Sequence, residues 1–237
     1  MKPKAWSHSA LSQFNNCPRQ YHEVKVLKSV VEPQGEAMVW GNRVHETMEF
    51  YLKVDPVVRS EVMIAGGRVD LPPEFEVYRP YLDAILLIPG TMYVEHEMSL
   101  DTNLVPCEKF ADNVFVRGIV DVLHVDGHIA RAMDHKTGKR KQDSKQMKLM
   151  ALLIFAHFPQ VQEIKVGFFW LKTGDKDTEK FTRADIPAIW QEFLPEIAQW
   201  KKAFATDTWQ PRQSGLCHGW CPVTSCEFWK PKRPLRK

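Results

Sequence analysis

The stretch NVFVRGIVDVLHVDGHIARAMDHK (113–136) consists of two apolar runs separated by Asp126-Gly127. An Asp-Gly pair between two such runs is a strong signal for a β-hairpin with a two-residue loop. If Asp126 and Gly127 form the loop, Val125 pairs with His128. The sequence therefore predicts two adjacent antiparallel strands that carry most of the apolar residues of this region.

The same pairing places two carboxylates on one face of the hairpin. Asp121 then faces Ala132, and Asp134 lies diagonally across from Asp121, with Cβ atoms roughly 7 Å apart. That gap fits a divalent cation bound by both carboxylates at roughly 2.1–2.4 Å. Lys136, two residues further along, joins them on the same face. Burying two like charges without a partner is costly, so a cation or ion pairs must neutralise them.

Two interpretations of this cluster remain open. One is half of an active site, and the other is a structural ion pair between Lys136 and one of the two acids. The D-x-K pattern is weak by itself, since Asp143-Ser144-Lys145 also matches it. That second match follows a basic run instead of an apolar strand, so we set it aside.

Outward from the hairpin, the chain alternates between helical and extended patterns. Helices are predicted over 9–16, 36–54, around Pro80, over 142–158 and over 187–204, and strands over 91–100 and 164–172. This order predicts an α/β protein with a central mixed β-sheet flanked by helices. Glu95 and Glu97 share one face of the strand over 91–100 and could support the acids indirectly, but exposed strand glutamates are common.

The charge of the chain is unevenly distributed, although its net value is only +3. Residues 201–237 hold eight Lys and Arg against two Asp and Glu, and residues 131–148 hold seven against two. Such patches suit a polyanionic partner like nucleic acid, or are simply solvated faces. No apolar run approaches 18 residues and no secretory signal is recognisable, so we expect a cytoplasmic protein without a membrane segment.

Three of the five cysteines, Cys217, Cys221 and Cys226, fall within ten residues of one another. An odd number of cysteines without a secretion signal argues against a disulfide framework. The cluster favours metal ligation, with reduced and unligated cysteines as the alternative.

Several motifs in chain order resemble those of RecB-like nucleases of the PD-(D/E)XK superfamily. They are SALSQFNNCPRQY (9–21), GNRVH (41–45), GIVD (118–121), DHKTGK (134–139) and Gln146. The resemblance implies a restriction-endonuclease-like core. One departure is Met150, where the family often has a tyrosine four residues after the glutamine.

The resemblance also implies roles for the residues that match. His45, Asp121 and Asp134 would bind Mg²⁺ or Mn²⁺, with the backbone carbonyl of His135 as a further ligand. Asp121, Asp134, Lys136 and Gln146 would form the catalytic set. The His135 side chain is expected to point away from the acids, because side chains alternate along a strand.

One early cysteine, Cys17, together with the late three resembles the iron–sulfur branch of these nucleases, which includes CRISPR-adaptation and AddB-type nuclease domains. There a 4Fe–4S cluster joins the N- and C-terminal segments. The spacing here is C-x3-C-x4-C, whereas the branch more often has C-x2-C-x5-C, so zinc remains an alternative, with His218 as a substitute ligand.

The resulting prediction is a single nuclease domain over 1–237, with a helical part (1–90), a catalytic core (91–172) and a C-terminal helix with the cysteine cluster (173–237). It would hydrolyse DNA, as an exonuclease on single strands or ends, in phage or bacterial recombination and repair. Lys139, Arg140 and Lys141 would contact DNA, with Trp209, Trp220 and Trp229 available for stacking on bases or for packing around the cysteines. No phosphate-binding helicase motif is present, so the chain is expected to be either freestanding or the partner of a helicase or recombination protein. The alternatives are a CRISPR nuclease that trims spacer precursors and a non-catalytic nucleic-acid-binding or assembly protein.

Overall fold

The computed structural model describes residues 5–141 and 144–231. The predicted helix start at Gln142 and the basic tail beyond Pro231 lie outside these residues. In the described part of the chain, the helices are α1 (His8–Asn16), α2 (Pro18–Tyr21), α3 (Glu36–Lys53), α4 (Pro56–Ile64), α5 (Arg79–Leu86), α6 (Ser144–His157) and α7 (Ile186–Thr206). The strands are β1 (Thr91–Asp101), β2 (Val114–Asp126), β3 (Ile129–Lys136), β4 (Glu163–Trp170) and β5 (Asp175–Thr182).

The five strands form one mixed sheet in the order β1-β2-β3-β4-β5. All neighbours are antiparallel except β3 and β4, which are parallel and connected by α6. A parallel pair needs such a crossover, because a hairpin cannot return the chain in the same direction. The predicted mixed sheet flanked by helices is therefore confirmed.

Helices cover both faces of the sheet. On one face, α6 contributes eight buried residues to a core that also contains the buried side chains of α1 and α7. On the other face, α3 and α5 pack against a smaller core around Val122 and Phe169. We call these the α6 face and the α5 face. Within the described residues, no helix is long and apolar enough to cross a membrane.

The hairpin of β2 and β3 forms as predicted, but its register differs. Asp126 pairs with Ile129, so the loop is Gly127-His128, and the predicted Val125–His128 pair is wrong. Gly127 has a φ of 56° and occupies the first loop position, where a type II′ turn requires glycine. The correction moves each strand by one residue. In this register Asp121 and Asp134 move from diagonal to opposite positions, one residue beyond the last pair of the ladder.

Three elements were missing from the sequence prediction, and one of them is the short helix α2. Helix α4 is capped by Asp55, whose carboxylate accepts the N–H groups of Val57 and Val58. Strand β5 is an edge strand with alternating exposure and few apolar residues, so it lacks the apolar signal that identified the other strands.

Candidate active site

The two acids lie where β2 and β3 begin to separate. The ladder between these strands ends at Val122 and Met133, one residue before Asp121 and Asp134. Asp121 Oδ2 accepts the backbone N–H of His135 over 2.6 Å, where a regular ladder would offer a carbonyl. Both carboxylates are almost fully buried. Where the two strands separate, a carboxylate therefore takes the place of a backbone carbonyl as the hydrogen-bond acceptor.

Helix α3 adds His45 to this pair. His45 Nδ1 lies 3.3 Å from Asp121 Oδ2 and 3.5 Å from Glu95 Oε1. Glu95 has a φ of 50°, an unusual backbone conformation for a non-glycine residue. This kink changes the alternation of β1, because Tyr93 and His96, three residues apart, both pack against Phe158.

Glu95 is thus a site residue that the sequence did not assign. Alternation along the strand placed Glu95 and Glu97 on the same face and did not distinguish them. The left-handed backbone that directs Glu95 towards His45 cannot be predicted from the spacing of residues. Glu97 is instead exposed and forms an ion pair with Lys109.

Lys136 and Gln146 complete the α6 side of the site. Lys136 Nζ lies 2.7 Å from Asp134 Oδ2 and donates to Gln146 Oε1 over 2.8 Å. Gln146 Nε2 donates in turn to Asp134 Oδ1 over 2.9 Å. The structure therefore brings together Asp134, Lys136 and Gln146. Asp134 Oδ2 is buried and accepts no hydrogen bond of good geometry from the described residues.

The expectation for the His135 side chain was wrong. Its ring is buried, and Nδ1 lies 3.5 Å from Asp121 Oδ2, while Nε2 is 3.0 Å from the hydroxyl of Tyr81. Strand alternation does turn this ring away from Asp134 and onto the α5 face. Asp121, however, sits in the opening between the strands and reaches across to it. Tyr81, stacked on Phe169 at 3.8 Å, is a second contact that sequence reasoning missed.

Burial, hydrogen bonds and repulsion between the two carboxylates shift the pKa values of the site residues. Burial, reinforced by the charge of Asp121, raises the pKa of Asp134 to about 7, although Lys136 opposes the rise. Burial also favours protonation of Asp121, but hydrogen bonding to His45 and nearby positive charge bring its pKa below the ordinary value. Hydrogen bonds to Asp121 and Glu95 raise the pKa of His45 to about 10. Burial lowers the pKa of His135 to about 4.

These residues fit a divalent metal. Ligand atoms of His45, Asp121 and His135 lie within 4.8 Å of one another. Asp134 lies outside this group of three, and its Oδ2 is 2.7 Å from Lys136 Nζ. Carboxylates suit Mg²⁺ and Mn²⁺, and imidazole suits transition metals. A cation would also offset the repulsion that raises the pKa of Asp134. His135 enters the group through its side chain, whereas the resemblance implied its backbone carbonyl.

The sequence profile of the PD-(D/E)XK nuclease superfamily matches residues 5–226, nearly the whole chain. The chain belongs to this superfamily. No curated protein matches it. PD-(D/E)XK nucleases use divalent metals, in agreement with the donor set described above. The fold and the family support a nuclease, and a nuclease fold implies a nucleic-acid substrate.

One solved structure, from Eubacterium rectale and described provisionally as an exonuclease, shares this fold. It is 12% identical with a TM-score of 0.52, and the match covers 98% of this chain and 90% of that chain. The protein SSO0001 is also similar, at 12% identity, with a TM-score of 0.48 and coverage of 96% and 88%. The 12% identity to the Eubacterium rectale structure indicates a shared fold and does not transfer an activity.

The nuclease domain also brings its four candidate cluster cysteines together. The backbone N–H of Arg212 donates to Cys17 Sγ over 3.4 Å, which ties the end of α1 to the C-terminal segment. Burial raises the pKa of Cys221, and the neighbouring thiols of Cys17, Cys217 and Cys226 raise it further. All four belong to the described residues, and no three of their sulfur atoms lie within 4.8 Å of one another.

The basic run follows Lys136 at the end of β3. Lys139 and Lys141 are exposed. Arg140 is held by Asp177, with Nε 3.0 Å from Oδ2, and by Asp175 at 3.4 Å. Its guanidinium group is therefore partly neutralised by β5, while the two lysines are turned to solvent.

The three tryptophans of the C-terminal segment differ in their surroundings. Trp209 is buried and stacks on His22 with ring centroids 4.5 Å apart, so it is not accessible to an unpaired base. Trp229 donates to the carbonyl of Cys221 over 3.1 Å, which places it against the cysteine cluster as expected. Trp220 is 67% exposed, so the expected packing of this ring around the cysteines is not seen.

Proposed function

We propose that this chain is a Mg²⁺- or Mn²⁺-dependent deoxyribonuclease, acting as an exonuclease on single strands or DNA ends. The observation that carries the proposal is the convergence of His45, Asp121, Asp134 and Lys136 at the opening between β2 and β3. A protein that only binds nucleic acid has no need for a buried, mutually repelling carboxylate pair beside a lysine. Phage or bacterial recombination and repair, in the cytoplasm, is the setting proposed for this activity.

The metal would be held by His45, Asp121 and Asp134, with His135 supplying a further donor. When bound, it lowers the pKa of a coordinated water and offsets the negative charge that develops on the phosphate. Glu95 and the N–H of His135 orient the first two ligands, since Glu95 contacts His45 and the amide binds Asp121. Such supporting contacts tune ligand orientation and basicity.

Lys136 is assigned to the attacking water and the scissile phosphate. Its ammonium group, fixed by Asp134 and Gln146, positions the water and adds a positive charge beside the phosphate. Gln146 holds this geometry by bonding both partners, so it acts as a positioning residue. This arrangement removes rotational freedom from Lys136 before substrate arrives.

A groove next to these residues supports a path for a DNA strand. It encloses about 460 Å³, with Lys136 and Gln146 at one end and the start of α1, including Ser7, further along. Lys109 and Arg117 also line it and add positive charge. Backbone phosphates flanking the scissile bond would contact these groups.

The cysteines are assigned to a 4Fe–4S cluster that joins the two ends of the domain. Four thiolates suit either a 4Fe–4S cluster or tetrahedral zinc. The contact of Cys17 with the C-terminal segment supports the assignment, because a cluster would join the two ends of the domain there. Anaerobically purified protein should be brown and contain iron, and a colourless protein with one equivalent of zinc would refute the assignment.

The nuclease assignment is tested with single-stranded, double-stranded and end-blocked DNA in the presence of Mg²⁺ or Mn²⁺. We expect cleavage that requires a free end and that Asp134→Ala and Lys136→Ala abolish. Lys145→Ala is the matched control, because Lys145 is the lysine of the second D-x-K match and forms an ion pair with Glu196. If the wild type degrades neither DNA nor RNA with either metal, the binding-only alternative replaces the enzyme.

A further inference from the structure

A second concentration of positive charge lies on the α5 face, away from Lys136 and Gln146. One row of paired residues crosses four strands, from His124 on β2 to Arg131 on β3, Lys165 on β4 and Lys180 on β5. Directly opposed residues have Cβ atoms about 4.5–5.5 Å apart, and like charges in such positions are destabilising. Arg131 and Lys165 are therefore adjacent like charges that cost stability, whereas Lys180 lies 3.8 Å from Glu163.

Three members of this row open into one cavity. His124, Arg131 and Lys165, joined by Lys176 of β5, line a cavity of about 220 Å³. We call it the basic pocket. Its apolar walls come mainly from α5 and the sheet, namely Ala84, Ile85, Ile88, Val122 and Met133. None of its lining residues is acidic.

The cations of the basic pocket are not neutralised within the described part of the chain. Arg131, Lys165 and Lys176 form no ion pair there, and Lys176 instead lies over the rings of Tyr81 and Phe169. Arg131 Nη1 is buried and has no hydrogen-bond partner among the described residues. His124 is 2% exposed, and neither of its ring nitrogens is hydrogen-bonded to a described residue. Buried polar groups are nearly always hydrogen-bonded, so these atoms point to a ligand.

We propose that the basic pocket binds the phosphate group of a nucleotide, supplied as a free mononucleotide or as the terminal phosphate of a strand. A phosphate monoester carries close to two negative charges at neutral pH, which matches several cations better than a carboxylate does. The apolar walls suit the sugar next to that phosphate. At about 220 Å³ the cavity is smaller than the roughly 300–1,000 Å³ of sites for drug-sized ligands, so it takes the phosphate and the adjoining sugar of one nucleotide.

This phosphate differs from the scissile one. Asp134, Lys136 and Gln146 act on the α6 face, whereas the basic pocket opens on the α5 face. Tyr81 is shared, since its ring lines the pocket and its hydroxyl contacts His135. The proposal does not rest on nuclease activity.

The test is calorimetric titration of metal-free full-length protein. The probes are inorganic phosphate, deoxyadenosine 5′-monophosphate, and a short single-stranded oligonucleotide with or without a terminal phosphate. We expect Arg131→Gln and Lys165→Gln to weaken nucleotide binding about tenfold or more, since each removes a charge-assisted hydrogen bond. Lys165 is exposed, so its substitution leaves the fold intact.

Two controls separate the basic pocket from other sites. Lys180→Gln alters the same row outside the pocket, and Lys145→Ala removes a lysine on α6 outside both sites, so both should bind the nucleotide as the wild type does. Binding of the free mononucleotide but not of the oligonucleotide identifies the free ligand, and oligonucleotide binding that requires the terminal phosphate identifies a strand end. The proposal is overturned by binding of inorganic phosphate alone, by no binding, by equal loss in Lys145→Ala, or by unchanged binding in both pocket variants.

Discussion

Metal binding by this site should release a number of protons that reveals whether His45 is a ligand. In the metal-free site, His45 has a pKa of about 10 and Asp134 a pKa of about 7. Both must lose a proton before they donate an electron pair to a metal. At pH 8 nearly all His45 and little Asp134 are protonated, so Mn²⁺ binding should release about one proton. At pH 6 both are protonated, and the release should approach about two.

The same proton counts set the pH dependence of affinity. The logarithm of the association constant should rise with a slope of about two below pH 7 and about one between pH 7 and 10. Titration calorimetry in buffers of different ionisation enthalpy measures the protons released at each pH. His45→Gln should lower the number of protons released on metal binding by about one at both pH 6 and pH 8. Release of less than about half a proton at pH 8 by the wild type would refute His45 as a ligand.

Further substitutions test the buried charges, the positioning residue and the fold. Because the pKa of Asp134 is raised, its ionisation destabilises the metal-free fold as pH rises between 3.8 and about 7. Asp134→Asn should therefore raise the melting temperature at pH 8, by about 2–4 °C per kcal/mol, and have little effect at pH 5. Asp121→Asn should lower it at pH 8, and equal shifts in the two variants would contradict this reasoning. Gln146→Leu should reduce kcat about 10- to 100-fold and change KM less, and a change below about twofold would remove its positioning role. Gly90→Ala should destabilise the fold by about 1–3 kcal/mol in a denaturant melt. The reason is that Gly90 has a φ of 103° and the new Cβ would overlap the carbonyl of Val125. An unchanged midpoint would show that the backbone at Gly90 adjusts without cost.

The sequence contains enough information for the sheet and for the order of the site residues. Apolar runs, the Asp-Gly signal and helical periodicity depend on local chemistry, so they identified β1 to β4 and the long helices. The register error did not separate the two acids. Moving both strands by one residue brings Asp121 and Asp134 from diagonal to opposite positions.

Other parts of the site depend on backbone geometry that the periodicity of the sequence does not predict. Glu95 reaches His45 only because its own backbone is left-handed, and Asp121 reaches the amide of His135 only because β2 and β3 part beyond Val122. Tyr81 is brought to His135 by the packing of α5, an element predicted without its orientation. Each of these contacts is set by tertiary structure and not by spacing along the chain.

The opening between β2 and β3 explains why site residues come from both faces of the sheet. In a closed ladder the amide of His135 would bind a carbonyl of β2, and the sheet would separate α3 from α6. With Asp121 in the carbonyl's place, one carboxylate contacts His45 of α3 and the amide of β3, while Asp134 opposite contacts Gln146 of α6. The irregular end of the hairpin is therefore what allows an imidazole from one layer and a lysine–glutamine pair from the other to meet at two adjacent carboxylates.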